Sequence, residues 1–326
     1  MIRSIYYLGL CLLVASSAFA GGGDGGYAAP WLQVPIGARP TAMGGAYLGI
    51  SNDGAAPLFN PAGLAKLERS MFSSAYRIMA LDRKLGYVTA VTPVRGQSTL
   101  GVHWLYAGSG SVAARDGDGY LTGHDISLSA NNIAIVFAKM LTPYLSAGVN
   151  LNYILVDMPE LGANSVGFDF GAMLYIEQLF DRENRDALAV RDLQLGVVAK
   201  NFSKRFKYVS DKYNMKYTTT ESGTEQEDIA PIEYGIGASG RLLDRRLVLA
   251  SDLIKTQNQT LRFHGGAEYF VTEQFMLRGG YSDKRLTAGT GYVFKLGQNG
   301  LSIDYAFSTD RADEGSEHIF SFDLLF

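Results

Sequence analysis

After its first twenty residues this chain never again strings together the roughly 18 apolar residues of a membrane-spanning helix. What it carries instead is alternation with a period of two. Leu301, Ile303, Tyr305 and Phe307 interleave with Ser302, Asp304, Ala306 and Ser308. Ile232, Tyr234, Ile236 and Ala238 alternate with Glu233, Gly235, Gly237 and Ser239, and Leu261, Phe263, Ala267 and Tyr269 with Arg262, His264, Gly266 and Glu268. Each is a strand with one greasy face and one polar face. Segments of this kind fall near residues 71–80, 85–95, 98–108, 125–140, 144–156, 165–177, 190–201, 231–242, 246–254, 260–270, 275–282, 286–296, 300–308 and 317–326, about fourteen in all. Residues 71–326 then allow roughly 18 per strand and connection, which suits ~9 to 11 residues crossing a bilayer at a tilt plus a turn.

The connections alternate too. Short ones at 95–98, 141–143, 243–246, 271–274 and 297–300 separate longer polar ones at 109–124, 157–164, 202–230 and 309–316. Short turns on one rim and long loops on the other describe an antiparallel transmembrane β-barrel of the outer-membrane kind. The connection 178–190 departs from this pattern, and its charged run 181–186 suits a short helix. A soluble sandwich alternates as well, but it must bury its apolar face and seldom displays aromatics so evenly. In the last strand Phe320, Phe322, Leu324 and Phe326 share one face and Ile319, Ser321, Asp323 and Leu325 the other. A terminal Phe on such a strand looks like the signal read by barrel-insertion machinery, with Phe320, Phe322 and Phe326 as its candidate residues.

The opening segment reads as an export signal: Arg3, an apolar run from Ile5 to Ala15, and Ala18-Phe19-Ala20, with cleavage expected after Ala20. Removing 20 of 326 residues leaves 306, with 28 Lys and Arg against 32 Asp and Glu. The sole cysteine, Cys11, departs with the signal, so no disulfide is expected and stability must come from a large sheet. A net charge of -3 for the whole chain gives no nucleic-acid signal. The expected division is 1–20 signal, 21–70 an N-terminal plug and 71–326 the barrel.

Before the strands comes Trp31-Leu32-Gln33-Val34-Pro35-Ile36-Gly37-Ala38-Arg39, then Ala42-Met43-Gly44-Gly45-Ala46-Tyr47, then Asn60-Pro61-Ala62-Gly63-Leu64-Ala65. These three ordered blocks resemble the amino-terminal region of the PorV/PorQ family, a branch of the FadL-type fatty-acid transporter superfamily. The resemblance implies a plug folded inside a barrel of 14 strands. It also implies one of two roles: type IX protein secretion or cargo handling at the cell surface, the preferred expectation, or passive transport of hydrophobic molecules such as long-chain fatty acids or hydrocarbons.

From the residues, the plug and gating candidates are Arg39, Met43, Gly44, Gly45, Asn60 and Pro61. Gly44 and Gly45 allow close backbone approach or positive φ, Pro61 fixes a bend, and a buried Asn60 can bridge backbone groups of the wall. Asp169, Lys200, Asp252, Arg262, Glu268, Arg278 and Asp304 fall on polar faces and are candidate lumenal charges bracing the plug. Arg39 is expected to pair with Asp169, Asp304 or Asp323. The loop 202–230, with Phe206, Tyr208, Tyr213 and Tyr217 among Lys204, Arg205, Lys207, Lys212 and Lys216, suits surface contact with protein or glycan.

Other motifs fail on context. Gly235-Ile236-Gly237-Ala238-Ser239-Gly240 spells a dinucleotide fingerprint but lies within an alternating strand and opens no helix. Asp116-Gly117-Asp118-Gly119 begins like a calcium loop, yet Ser127 stands where a bidentate Glu is needed. His103, His124, His264 and His318 show no metal-ligand spacing. The expectation is therefore a non-enzymatic monomeric barrel in the outer membrane, without cofactor or metal. Its expected partners are membrane lipid, the insertion machinery, and either secretion proteins with their cargo or a hydrophobic small molecule.

Overall fold

The computed structural model describes residues 28–115, 118–158, 161–180, 190–209, 225–282, 285–309 and 315–326. The export signal, the run 181–186, Tyr213, Tyr217, Lys212 and Lys216 lie outside these residues. The strands, in chain order, are β1 Met71–Ile78, β2 Lys84–Val94, β3 Ser98–Gly108, β4 Val112–Arg115, β5 Leu121–Ile126, β6 Ser129–Thr142, β7 Leu145–Met158, β8 Leu161–Tyr175 and β9 Arg191–Phe202. There follow β10 Arg205–Val209, β11 Glu225–Ile229, β12 Glu233–Leu242, β13 Leu247–Thr256, β14 Leu261–Phe270, β15 Phe275–Ser282, β16 Arg285–Leu296, β17 Asn299–Thr309 and β18 Ser316–Leu325. Fourteen of them close into an antiparallel barrel, β1 pairing with β18 so that Met71 faces Leu325. The remaining four form two hairpins, β4–β5 and β10–β11.

Alternation decides which side chain faces which solvent. Along β3, Leu100, Val102 and Trp104 point outward at 45%, 54% and 45% exposure, while Thr99 and His103 between them are buried. The same outward apolar parity runs through Ile133, Ile135 and Phe137, through Val197, through Tyr234 and Ile236, and through Phe320 and Phe322. A continuous apolar exterior of that size is stable only against hydrocarbon, so the barrel is a transmembrane one. Closure leaves no sheet edge to present unpaired backbone to lipid. Phe326 lies outward at the short-turn rim, its N–H on the Ser70 carbonyl at 3.0 Å.

Two long connections differ from expectation. Residues 157–158 and 161–164 belong to strands: β7 and β8 pair to these ends, with Asp157 opposite Gly162 and Met158 opposite Leu161. Polar residues there mark strand ends above the apolar belt rather than a break in pairing. The described parts of the expected surface loop, 202–209 and 225–230, are not free either. The hairpin β10–β11 lies against β8 with Phe206 fully buried and Lys204 nearly so. The connection after β8 begins with a short 3-10 helix, Ile176–Leu179.

Residues 28–65 pack against inward-facing residues of the wall, and 66–70, partly to fully exposed, lead to β1. Short helical pieces, Pro30–Gln33, Ala38–Ala42, Ala56–Phe59 and Pro61–Lys66, are joined by tight turns. No sheet could be laid here without opening the wall, and small residues (Ala, Gly, Pro) let the chain coil in the width left by inward side chains.

Candidate functional site

The plug body, residues 37–66, forms no backbone-to-backbone hydrogen bond with the wall among the described residues. Wall side chains meet its backbone instead. Asp252 accepts the Tyr47 and Leu48 N–H groups at 2.7 and 2.9 Å, and Ser321 accepts from Ala38 N at 2.6 Å. Thr99 donates to Leu64 O at 2.7 Å, Ser146 to Ala62 O at 2.9 Å, Asn150 to Pro57 O at 2.6 Å, Ser239 to Gly49 O at 2.7 Å and Thr287 to Ala42 O at 3.0 Å. The His264 ring stands 2.8 Å from Gly44 O. A coiled segment in a dry lumen would otherwise carry costly unsatisfied backbone groups; the inward Ser, Thr, Asn and Asp of the strands satisfy them.

Glycines bring the two backbones together. Gly44 has φ +67°, and a Cβ there would stand 2.5 Å from Tyr281 O; across the contact, a Cβ on Gly280 would stand 2.2 Å from Gly44 N. Gly45, at φ +80°, turns the chain beside the His264 ring. Met43 is fully buried, and its carbonyl lies where a Cβ on Gly266 would be. Asn60 is fully buried too. Its amide donates to Leu48 O at 3.0 Å and to Ala172 O of β8 at 3.1 Å, and its carbonyl accepts the Ala62 N–H at 3.1 Å, which caps the helical turn that Pro61 opens. Wall glycines make room for it: a Cβ on Gly171 would fall 2.1 Å from Asn60 Oδ1.

Arg39 is the electrostatic centre. It meets Glu268 with two parallel bonds of 2.9 and 2.8 Å, and donates to Tyr47 OH, Asn52 and Asp53 at 2.8, 2.8 and 3.1 Å. Burial pulls its pKa down, but Glu268, Tyr47 and Asp53 more than offset that and hold it well above the ordinary value, so it stays charged. Burial raises the Tyr47 phenol, which stays protonated and donates to Asp53. The expected partners of Arg39 are therefore corrected. Asp169 is held by Lys204 at 2.9 Å, Asp304 is reached only through Arg278, which bridges it to Glu268, and Asp323 lines the same small cleft as Arg39 without pairing to it.

All seven proposed lumenal charges face inward, but they sort into separate groups. Glu268, Arg278 and Asp304 belong to the Arg39 chain. Lys200 and Arg262 share Glu233 at 2.9 and 2.7 Å. Asp169 joins Lys204, Asn152 and the Asn201 N–H, and Asp252 works on plug backbone rather than on a cation. Six of the seven have an opposite charge beside them, which is what lets charges persist out of water; Asp252 has two backbone N–H groups instead.

The second half of the site is apolar, which the alternation did not disclose. At their long-loop ends β2, β3, β6, β7 and β8 turn Leu85 and Tyr87, Leu105 and Ala107, Ala130, Ile154 and Val156, and Ala163 into the lumen, with Phe206 of the hairpin above. Segment 28–36 lies in this chamber, with Trp31, Leu32, Val34 and Ile36 packed on the lining. Between the segment, the plug and a polar floor that includes Asn132, Asn152 and Asp169 only about 70 Å³ is left. That holds water but no hydrocarbon of useful size. Beside Trp31 a further apolar recess of about 230 Å³ is bounded by Met79, Leu85, Ala107 and Leu128.

Burial alone flags Tyr47, Asp53, Glu233, Lys204 and the wall Ser, Thr and Asn residues as parts of the site. Only the inward parity of the wall residues could have pointed to them. His264 serves the plug backbone, and His103 lies buried beside the Tyr87 ring. Gly235 and Gly237 are strand residues of β12 packed on Leu48.

No protein-family model matches the sequence, and no curated protein matches it. Solved structures do. The Pseudomonas putida toluene transporter TodX superposes with a TM-score of 0.60 at 13% identity, over 89% of this chain and 96% of its own. The Ralstonia pickettii toluene transporter TbuX gives 0.59 at 14%, over 89% and 97%, and a Pseudomonas aeruginosa FadL homologue gives 0.58 at 12%, over 90% and 98%. At such identities the likeness is one of fold alone.

Proposed function

We propose that this protein sits in the outer membrane and passes hydrophobic small molecules inward by diffusion, the FadL-type role, rather than serving type IX secretion. The observation that carries this reading is the apolar chamber. Leu85, Leu105, Ile154 and Val156 pack on segment 28–36, and displacement of that segment would leave an apolar lining on which a hydrophobic solute is stable. The channels of like fold, described as transporters of toluene or other monoaromatic hydrocarbons, support the same reading. A PorV/PorQ role rests on the three plug blocks, and cargo at the rim would make no use of a chamber sealed inside the wall.

In this reading segment 28–36 occupies the chamber until a solute displaces it, and the plug body fixes the floor. Proteoliposomes loaded by passive uptake of a radiolabelled alkylbenzene test it. Placing carboxylates in the chamber, Leu105→Glu with Ile154→Asp, should cut uptake about tenfold or more, because each charge makes the chamber hostile to hydrocarbon. Unchanged uptake by a folded double variant would refute the assignment, and a loss of surface-protein display in cells with uptake intact would favour secretion.

A further inference from the structure

The outer face of β1, β2 and β3 carries a groove that no side chain among the described residues fills. Strand register sets Phe320, Tyr76, Gly86 and Tyr106 in one outward row and Phe322, Ser74, Val88 and Trp104 in the next. Gly86 and Ser74 are the small members of rows otherwise rich in rings, so the sheet is dented between Tyr76 on one side and Tyr106 with Trp104 on the other. A Cβ on Gly86 would meet nothing nearer than the Tyr106 Cβ at 3.9 Å. The dent holds about 250 Å³ and is almost wholly apolar.

Lys84 stands two residues nearer the long-loop rim on the same outward face of β2, exposed and, among the described residues, without a hydrogen bond or ion pair. It borders a polar recess of about 590 Å³ that shares Tyr76 and Tyr106 with the groove and is lined by several serines. Arg83 and Asp82 also border that recess, which leaves the cluster net positive with Lys84 as its uncommitted charge. An apolar slot rimmed by aromatic rings, which favour the membrane interface, and neighboured toward the long-loop rim by an unpaired cation matches an amphiphile end to end.

We propose that this groove is a specific lipid site: it holds an acyl chain of a phosphate-bearing membrane lipid against Gly86, with the phosphate on Lys84. The proposal rests on the membrane placement of the barrel and not on what the lumen carries. Charge complementarity selects the occupant, since a zwitterionic lipid fills the slot equally but gains less from an isolated ammonium.

The chain has two tryptophans, Trp31 and Trp104, and Trp104 lines the groove. A Trp31→Phe protein therefore reports on the groove alone. Reconstituted into phosphatidylcholine vesicles containing equal mole fractions of either brominated phosphatidylglycerol or brominated phosphatidylcholine, it should show Trp104 quenching that favours the anionic lipid by about fivefold in relative association. Lys84→Glu should abolish that preference and Lys84→Arg should keep it. Gly86→Leu, which fills the dent, should weaken quenching by both lipids. Migration of the unboiled protein on a gel confirms folding of each variant, and Lys84, being exposed, is replaceable without disturbing packing. Equal quenching by the two lipids, or a preference that survives Lys84→Glu, would reduce the groove to ordinary lipid contact and overturn the proposal.

Discussion

The plug body and segment 28–36 fill the same barrel with different mixtures of contact: both pack apolar side chains on the wall, Leu48 and Phe59 clustering with Val198 and Ile254 and Leu64 with Val91 and Val136, but the body adds a dense set of polar ties. Residues 37–66 are held by directional bonds from at least eight wall side chains and by a buried ion chain centred on Arg39, with backbones in contact at Gly44 and Gly280. Segment 28–36 is held chiefly by apolar packing, its one hydrogen bond to a wall side chain among the described residues being Pro35 O to Arg77. Directional buried bonds are lost all at once and at high cost. Apolar contacts with the chamber lining can be exchanged for equivalent contacts with a solute. Under the proposed function the difference assigns the body the part of a fixed floor and the segment that of a replaceable filling.

The contrast can be attacked from the side of the body first. Glu268→Gln leaves Arg39 and Arg278 buried with too little negative charge, a change of about 3–5 kcal/mol where a buried pair loses one member. The unfolding midpoint of the barrel in urea should fall markedly, and planar bilayers should show ion leakage as the body loosens. Gly44→Val should come next, with a Cβ driven into the Tyr281 carbonyl at a positive φ. Conductance should rise here too, with a smaller shift in midpoint because the wall itself is intact. Asn60→Ala removes two donors and a helical cap, a loss of about 1–3 kcal/mol, and should shift the midpoint measurably with no steady leak. Trp31→Ala should have the smallest effect on the midpoint, yet raise the uptake rate of an alkylbenzene. If Trp31→Ala destabilised the barrel as Glu268→Gln does, the segment would be part of the floor and the contrast would fail.

Much of the barrel was legible because the wall obeys a strict rule. A side chain at one position faces lipid and its neighbour faces the lumen, so alternation located all fourteen strands and put Glu268, Arg278 and Asp304 inside together. Parity says nothing about height or direction around the barrel, and for that reason Arg39 could not be matched to Glu268 rather than Asp169. The chamber was hidden by the same logic. Where both faces are apolar, as at Leu85-Gly86-Tyr87-Val88, inward and outward residues blur into one run. Lys204 and Phe206 were misplaced because charged and aromatic residues in a long connection look solvated until the hairpin is folded back on β8. The bonds from Thr99, Ser146 and Thr287 to plug carbonyls are short polar side chains meeting irregular backbone, a pairing that leaves no pattern in one dimension.

The central claim is that hydrophobic solute occupies the chamber, and the direct measurement is where such a solute touches the chain. A light-activated aryl diazirine of toluene size, applied to the protein in vesicles and mapped by peptide mass spectrometry, marks whatever it reaches. Lipid-borne probe alone labels the outward parity, such as Val102 and Trp104. The account predicts additional labelling of the inward parity confined to the chamber, at Leu85, Leu105, Ile154 and Val156, rising in Trp31→Ala. Labelling restricted to the outward parity on every strand, in both proteins, would contradict it.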